Sequence, residues 1–331
     1  MGGTGRGGGI HIRAATPDDD PAVLGLLEAS MGWIPDDLAA RFFVWKHREG
    51  PFGPSPSWVA VDRDTGRIVG LRTFLRWRFA GVEAVRAVDT ATHPDFQGRG
   101  IFSRLTLHAL NDLRTMGVAF VFNTPNERSR PGYLKMGWQT VGRLPVAVRP
   151  RSPLALARLA RARAPADKWS LPTTAGDEPG ALLAAFGAGA PRTANRTDGG
   201  LGTDRTGAYL QWRYGLPELR YRVLTAPDGP EHGLVVFRLR RRGAATEAAV
   251  CEMLVPDGRR RSSTTRGLLR TVVRASRADH AVLVGPARLA LGLLPVPRQG
   301  PTLLWRAVAT DDAHPPPLDR WDLSLGDVEL F

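Results

Sequence analysis

Apolar positions in the first 150 residues switch between period two and period 3.6, and the switches mark out elements. Ile10–Arg13 alternates as a short strand. Thr16-Pro17-Asp18-Asp19-Asp20 supplies an N-cap and first-turn acids for a helix over Ala22–Met31, with Val23, Leu26 and Leu27 at helical spacing. Pro35-Asp36 starts a second helix to about His47, carrying Leu38, Phe42 and Trp45 on one side. After the Gly/Pro loop Gly50–Pro56, strands Ser57–Val61 and Ile68–Trp77 flank a turn at Asp64-Thr65-Gly66, and Val85–Thr92 reads as a further strand. Gly100–Met116 is helical, with Leu105, Leu107, Leu110 and Leu113 on or near one face. Val118–Phe122 is a buried strand, Pro131–Met136 a short helix stopped by Gly137, and Trp138–Val148 a strand that closes the sheet. The order β-α-α-β-β-β-α-β-α-β predicts a mixed α/β sandwich.

The remainder echoes this pattern. Arg149–Arg163 is Arg/Ala/Leu-rich and reads as helical, Pro165–Asp177 as loop, Pro179–Phe186 as a short helix and Gly187–Gly202 as Gly/Thr-rich chain. With a shift of 162 residues, His93-Pro94-Asp95 falls on Val255-Pro256-Asp257, and helix Ser103–Met116 falls on Thr265–Ala278. The same shift puts Phe120–Phe122 on Val282–Val284 and Thr140–Val148 on Thr302–Thr310. Trp45-Lys46-His47 also echoes Trp212-Arg213-Tyr214 at a slightly different offset. The expected organisation is a flexible tail (1–9), a first domain (10–148), a connector (149–196) and a second, repeated domain (197–331). Two unrelated α/β halves are the alternative.

Composition changes the picture in two places. Of the 45 basic residues in this chain of net charge +13, only Lys46, Lys135 and Lys168 are lysines. The arginines are spread along the chain, so the charge reads as arginine-rich coding rather than a nucleic-acid-binding patch, and no nucleic-acid partner is expected. No apolar run approaches the roughly 20 residues that span a bilayer. Met1–Gly9 lacks the apolar segment of a secretory signal, and Cys251 is the single cysteine, which excludes an internal disulfide and a thiolate metal site. A cytoplasmic monomer or homodimer without stable membrane insertion is the expectation. Leu154–Arg163 has the makings of a short basic amphipathic helix, for which a solvated connector is the simpler account.

The most informative stretch is Val88–Leu105, where a strand ends at Thr92 and a tight turn leads into a helix near Gly100. Gly98 and Gly100 permit positive φ and close approach of a ligand to the backbone, so the free N–H groups of the turn and first helical turn converge on one point. With the helix dipole, such a point binds a pyrophosphate. Arg99 and Arg104 add charge at its rim. By themselves the glycines would serve a plain strand–turn–helix corner equally well. The segment Gln97-Gly98-Arg99-Gly100-Ile101-Phe102, however, resembles motif A of the GNAT superfamily of acyl-CoA N-acyltransferases (Q/R-x-x-G-x-G/A), with Phe102 departing from its small last position. Asn126-x-x-Ser129-x-x-x-Tyr133-Leu-Lys-Met-Gly137-Trp138 resembles the family's N-x-x-A-x-x-x-Y-x-K-x-G-F segment, with Ser129 for Ala and Trp138 for Phe. The two motifs lie in order about 25 residues apart, and the resemblance covers about residues 10–148.

The resemblance implies a GNAT fold, an α/β fold with a mixed, mostly antiparallel sheet flanked by helices, duplicated in tandem. It further implies an N-acetyltransferase using acetyl-CoA as cosubstrate, no metal, and a primary amine of a small molecule as acceptor. Thr92, His93, Gln97, Gly98, Arg99, Gly100, Ile101, Phe102, Ser103 and Ser129 would hold the cosubstrate, and Asn126 would contact its pantetheine arm or the Tyr133 loop, with a plain turn-capping role as the alternative. Tyr133 would be the general acid near the sulfur. Asp89, an acid among Val85, Ala87, Val88 and Ala91, is the candidate base, since burial would raise its pKa toward proton transfer. A salt bridge is its structural alternative. Glu83 is a weaker candidate, His93 reads as structural, and an ordered water or the Phe331 carboxylate remains open as base. In the second half the corresponding loop, Val255–Ser263, holds only Gly258, and Pro295 stands where Tyr133 would repeat. One site, in the first domain, is therefore expected. The alternative function is a non-catalytic acyl-CoA sensor or scaffold. Trp33, Trp45, Trp58 and Trp77 fit core packing better than an acceptor pocket, and Asp322, Asp327 and Glu329 are candidate contacts for a cationic acceptor.

Overall fold

A long antiparallel hairpin organises the first part of the chain. Strand β3 (Ile68–Phe79) turns through Ala80-Gly81, both at positive φ (50° and 85°), into β4 (Val82–Thr92). A two-residue turn with both centres in the left-handed region matches the right-handed strand twist. Ahead of it lie β1 (Ile10–Ala14), α1 (Asp20–Met31), α2 (Asp37–His47) and β2 (Ser57–Asp62). The Asp36 carboxylate caps α2 by accepting from the Ala39 amide at 2.8 Å. Beyond it come α3 (Ile101–Thr115), β5 (Phe120–Asn123), α4 (Arg130–Lys135), β6 (Gln139–Arg143), β7 (Val146–Pro150) and α5 (Pro153–Arg161).

The later elements are β8 (Leu201–Gly202), α6 (Gly207–Gly215), β9 (Arg222–Ala226), β10 (Gly229–Arg242), β11 (Ala245–Leu254), α7 (Arg261–Ala275) and β12 (His280–Val284). The chain continues through β13 (Leu294–Pro295), β14 (Thr302–Ala307), β15 (Trp321–Asp322) and α8 (Leu325–Val328). The computed structural model describes residues 9–34, 36–161, 164–180, 182–183, 200–310 and 313–329. The expected tail at residues 1–8, Pro35, Arg163, residues 184–199 of the expected short helix and Gly/Thr-rich stretch, and Phe331 with its carboxylate lie outside the described residues.

Among the described residues there are two units, one running to Thr140 and including Leu304–Pro315, the other spanning Val141–Leu303 and resuming at Pro316. The first sheet has the order β1-β2-β3-β4-β5-β14-β6 and the second β13-β7-β12-β11-β10-β9. Both are mixed and mostly antiparallel; among the described pairings β4 with β5 and β11 with β12 are parallel, crossed over by α3 and α7. With β14 set against β7, the second order read from β9 to β13 matches the first from β2 to β6, and β1 has no counterpart among the described strands. The sequence reading had Trp138–Val148 closing the first sheet and Thr302–Thr310 the second, and the structure exchanges them. Trp138–Val148 divides into β6 and β7, and β7 pairs with β12, whereas β14 pairs with β5. Both segments are short apolar strands, so local pattern does not say which sheet receives which. The expected limits at 148 and 197 accordingly differ from those of the two units, and part of the expected connector belongs to the second one, where Leu171 bridges Leu239 and Asp177 bridges Val223.

In the first unit α3 lays Ile101, Leu105, Ala109 and Leu113 on one side of the sheet against Trp58, Phe74 and Val121. On the other side α1 and α2 set Val23, Leu26, Leu27 and Phe43 against Val59, Leu71 and Ala91. Trp58 and Trp77 are fully buried, and Trp33 and Trp45 both lie against Phe42, so the four tryptophans are packing residues. In the second unit one of the three C-terminal acids faces inward. Asp327 is fully buried and accepts from Arg205, Thr203 and Tyr209. An acid already neutralised in this way is not available as a surface contact for a cation.

Candidate active site

Strands β4 and β5 run parallel through Ala84–Arg86 and Phe120–Phe122, and β4 then continues to Thr92 paired on its β3 side. Along this stretch the β3–β4 register slips between Arg72↔Thr90 and Thr73↔Val88, leaving Asp89 as the extra residue at φ +34°. A bulge with a non-glycine residue at positive φ re-aims a side chain and costs conformational energy, the kind of outlier that clusters at functional sites.

Beyond Thr92 a single 3-10 turn, Pro94–Phe96, is capped by His93, whose Nδ1 accepts from the Asp95 amide at 3.3 Å. Gln97 Nε2 donates to the Thr92 carbonyl at 3.4 Å. Gly98 and Gly100 stand at φ 75° and 71°, the left-handed region the sequence reading required of them. Gly100 is the N-cap of α3 and makes no side-chain cap bond, so the first-turn amides through Ile101, Phe102 and Ser103 have no partner within the helix. Beyond the adjoining residues, no heavy atom lies within 4 Å of where a Cβ on either glycine would sit. The loop thus presents unpaired donors and the positive end of a 15-residue helix dipole to open space, which fits a pyrophosphate. Arg99 holds the rim by donating to the Asp95 carbonyl at 3.1 Å and lying 4.6 Å from the Phe96 ring centroid.

Phe102, the bulky departure at the end of the first motif, has its space. Its ring lies where a Cβ on Gly132 would come within 2.9 Å, so the missing side chain at 132 accommodates the added one at 102. The Tyr133 ring sits edge-on to Phe102 at 5.4 Å and to Trp138 at 5.2 Å. Tyr133 is buried, and its hydroxyl accepts from Arg72 Nη1 at 2.8 Å. Asn126 spends its side-chain oxygen locally, accepting from the Arg128 and Ser129 amides (3.1 and 2.9 Å) and from Ser129 Oγ (3.0 Å). It shapes the turn into α4 and so sets the position of Tyr133.

Asp89 lies on the opposite side of the sheet and is not a lone carboxylate. It is buried, with Lys46 Nζ and His47 Nε2 each 2.7 Å from its Oδ2. Burial alone would raise its carboxyl, as the sequence reading expected. The Lys46 ammonium and the His47 hydrogen bond overcome that and hold it well below the usual carboxylate range. His47 Nδ1 lies 3.1 Å from Ser55 Oγ. Taking Nε2 as protonated satisfies both bonds, with Ser55 donating to Nδ1. Burial pushes the His47 pKa down, opposed by Asp89, so the imidazole is neutral at neutral pH. Glu83, the other candidate acid, is half-exposed near the hairpin turn beside Arg78.

Sequence reasoning therefore placed the loop and Tyr133 together and missed Arg72, Lys46, His47 and Ser55. One signal for Arg72 was present: it shares the strand parity of the core residues Gly70 and Phe74. In the second unit the corresponding loop has Gly258 at φ 142° and opens α7 with Arg260 as N-cap. Next to it, a cavity of about 170 Å³ is lined by Arg205, Glu252, Arg261, Ser262 and Asp322 among others. No helix among the described residues is long and apolar enough to cross a membrane.

Residues 11–141 match the model of a family described as "Acetyltransferase (GNAT) domain". Two curated relatives are each named mycothiol acetyltransferase. That of Thermobifida fusca is 33% identical over 102 residues, 28% of this chain and 32% of its own length. That of Mycolicibacterium vanbaalenii is 34% identical over 113 residues, 31% of this chain and 35% of its own. The chain thus spans about a third of the length of the curated relatives it matches. Among solved structures, a probable N-acyltransferase from Enterococcus faecalis superposes with a TM-score of 0.62 at 14% identity, covering 91% of this chain and 72% of that one. A GCN5-related N-acetyltransferase from Anabaena variabilis gives 0.61 at 13% identity, covering 91% and 73%. A tandem GNAT protein from the clavulanic acid biosynthesis pathway gives 0.52 at 17% identity, covering 92% and 100%. At such identities the likeness is one of fold, a tandem GNAT fold.

Proposed function

Since residues 11–141 are a GNAT acetyltransferase domain, we propose that this chain transfers an acetyl group from acetyl-CoA to the primary amine of a small molecule by direct attack in a ternary complex. The observation that carries this reading is the uncapped, glycine-opened start of α3 beside the free edge of β4, with the Tyr133 hydroxyl on the neighbouring helix. The amides from Gly98 to Ser103 would hold the pyrophosphate, and the β4 edge near Thr92 would hold the pantetheine and thioester carbonyl. Acetyl-CoA, when bound, supplies the activated acyl group. Tyr133 donates the proton that the departing sulfur needs.

Asp89 is held low by Lys46 and His47 on the other side of the sheet from Tyr133, so the proton-accepting role is assigned to an ordered water rather than to this carboxylate. No step requires a metal.

Free-thiol release from acetyl-CoA against a panel of primary amines tests the function, and the acceptors of the mycothiol acetyltransferases belong on that panel. Amine-dependent release is expected. Tight acetyl-CoA binding without turnover on any amine would contradict transfer and favour a binding protein.

A further inference from the structure

We propose that Arg72 is a positioning residue for acyl transfer: it fixes the Tyr133 hydroxyl as a one-way proton donor and sets an unneutralised positive charge beside it. The inference rests on the acyl-CoA reading of this site.

Arg72 is fully buried on β3. Among the described residues no carboxylate forms an ion pair with it, and its Nε and Nη2 are covered yet have no hydrogen-bond partner. Its Nη1 donates to Tyr133 Oη at 2.8 Å and to Thr90 Oγ1. The guanidinium lies 4.2 Å from the Phe74 ring centroid, 5.4 Å from that of Tyr133 and 5.9 Å from that of Phe102. These ring faces compensate part of the cost of burying a cation, but they leave its charge without an anion. Arg205, by contrast, is buried against two carboxylates, holding Glu252 at 2.8 Å and Asp327 at 2.7 Å.

The hydrogen-bond polarity follows from the side chain's chemistry. A guanidinium has donors only, so Tyr133 Oη must be the acceptor in their bond, and its own proton is left to go to another acceptor. In the transfer step the amine nitrogen bonds to the thioester carbonyl carbon and the C–S bond breaks. The electron pair of that bond stays on sulfur, which takes the Tyr133 proton. The phenolate oxygen left behind faces the Arg72 guanidinium. The proton lost by the amine nitrogen passes to water, and solvent returns one to Tyr133, so the protein ends unchanged. Arg72 thus meets negative charge only while the sulfur departs, where stabilisation raises kcat rather than affinity.

The test is a double-mutant cycle on the full chain. Arg72→Met keeps the bulk and removes the unpaired buried charge, so the variant should melt no lower than wild type. We expect its kcat to fall by about 100-fold with the KM for acetyl-CoA changed less than about twofold. In a Tyr133→Phe background the same change should cost less than about threefold, because the residue acts through the hydroxyl. Arg72→Lys should recover part of the loss. Full independent losses in both backgrounds, or a kcat untouched by Arg72→Met, would overturn the proposal. Binding separates this outcome from failure of the wider reading. Without any turnover, calorimetry should still show coenzyme A bound more tightly than its desulfo analogue, with the preference lost in Arg72→Met. An equal preference in both proteins would sink the role of Arg72, and wild type that binds neither compound would sink the acyl-CoA site itself.

Discussion

At the scale of single residues, the first unit holds two buried polar sets on opposite sides of one sheet. Arg72 and Tyr133 lie on the α3 side, and Lys46, His47 and Asp89 on the α2 side. The second set makes stability depend on pH in a definite direction. His47 and Asp89 both have folded values below their ordinary ones of 6.5 and 3.8. The unfolded chain therefore binds protons that the folded chain refuses. Stability should be full above the ordinary His47 value and fall as the pH drops below it. It should fall further below the ordinary Asp89 value, a course that thermal melts against pH would follow. Lys46→Met strands the Asp89 charge in the interior and should destabilise by about 3–5 kcal/mol in urea unfolding. This network was not legible in the sequence. Asp89 stood out as an acid in an apolar strand, but its partners come from a helix 42 residues away, and no spacing rule connects a strand bulge to a helix end.

At the scale of elements, the loop and its helix were the most legible part. Gly98 and Gly100 needed positive φ for the backbone to turn, and both have it. Asn126 read as either a ligand contact or a turn cap, and the structure shows the cap. The pairing of Phe102 with Gly132 was not legible, because compensation between α3 and α4 shows only when their faces meet. It makes a sharp prediction. Gly132→Ala puts a methyl group into the Phe102 ring, which must move and take the edge-on Tyr133 ring with it. Overpacking of this kind costs about 1–3 kcal/mol. The variant should melt lower and lose kcat, and Phe102→Ala introduced beside it should restore part of the melting temperature. A Gly132→Ala variant with unchanged melting and rate would show that Phe102 has room to spare.

For the whole molecule, the repeat was legible and its closure was not. The shift of 162 residues aligned helix with helix and strand with strand, and the two sheets share the order of six strands, with β1 added in the first. What the pattern did not carry is the exchange of β7 and β14, since two apolar strands of similar length fit either sheet. The exchange predicts that residues 9–148 do not fold alone. Expressed alone, they leave β5 with an unpaired edge where Leu304–Ala307 should lie, and bare the core around Val121 and Leu304. Circular dichroism should show no cooperative thermal transition for that fragment, whereas the full chain shows one. A cooperative melt of the fragment would contradict the account of the first sheet.

The central claim is one acyl-CoA site, built by the glycine-opened start of α3. Calorimetric titration with acetyl-CoA tests it most directly on three full-length proteins: wild type, Gly98→Val with Gly100→Val, and a variant with Arg259, Arg260 and Arg261 changed to alanine at the corresponding loop of the second unit. The account predicts one equivalent bound by wild type and by the triple alanine variant, and none by the glycine variant at the same concentrations. Binding that survives the two valines, or disappears with the three arginines, would contradict it.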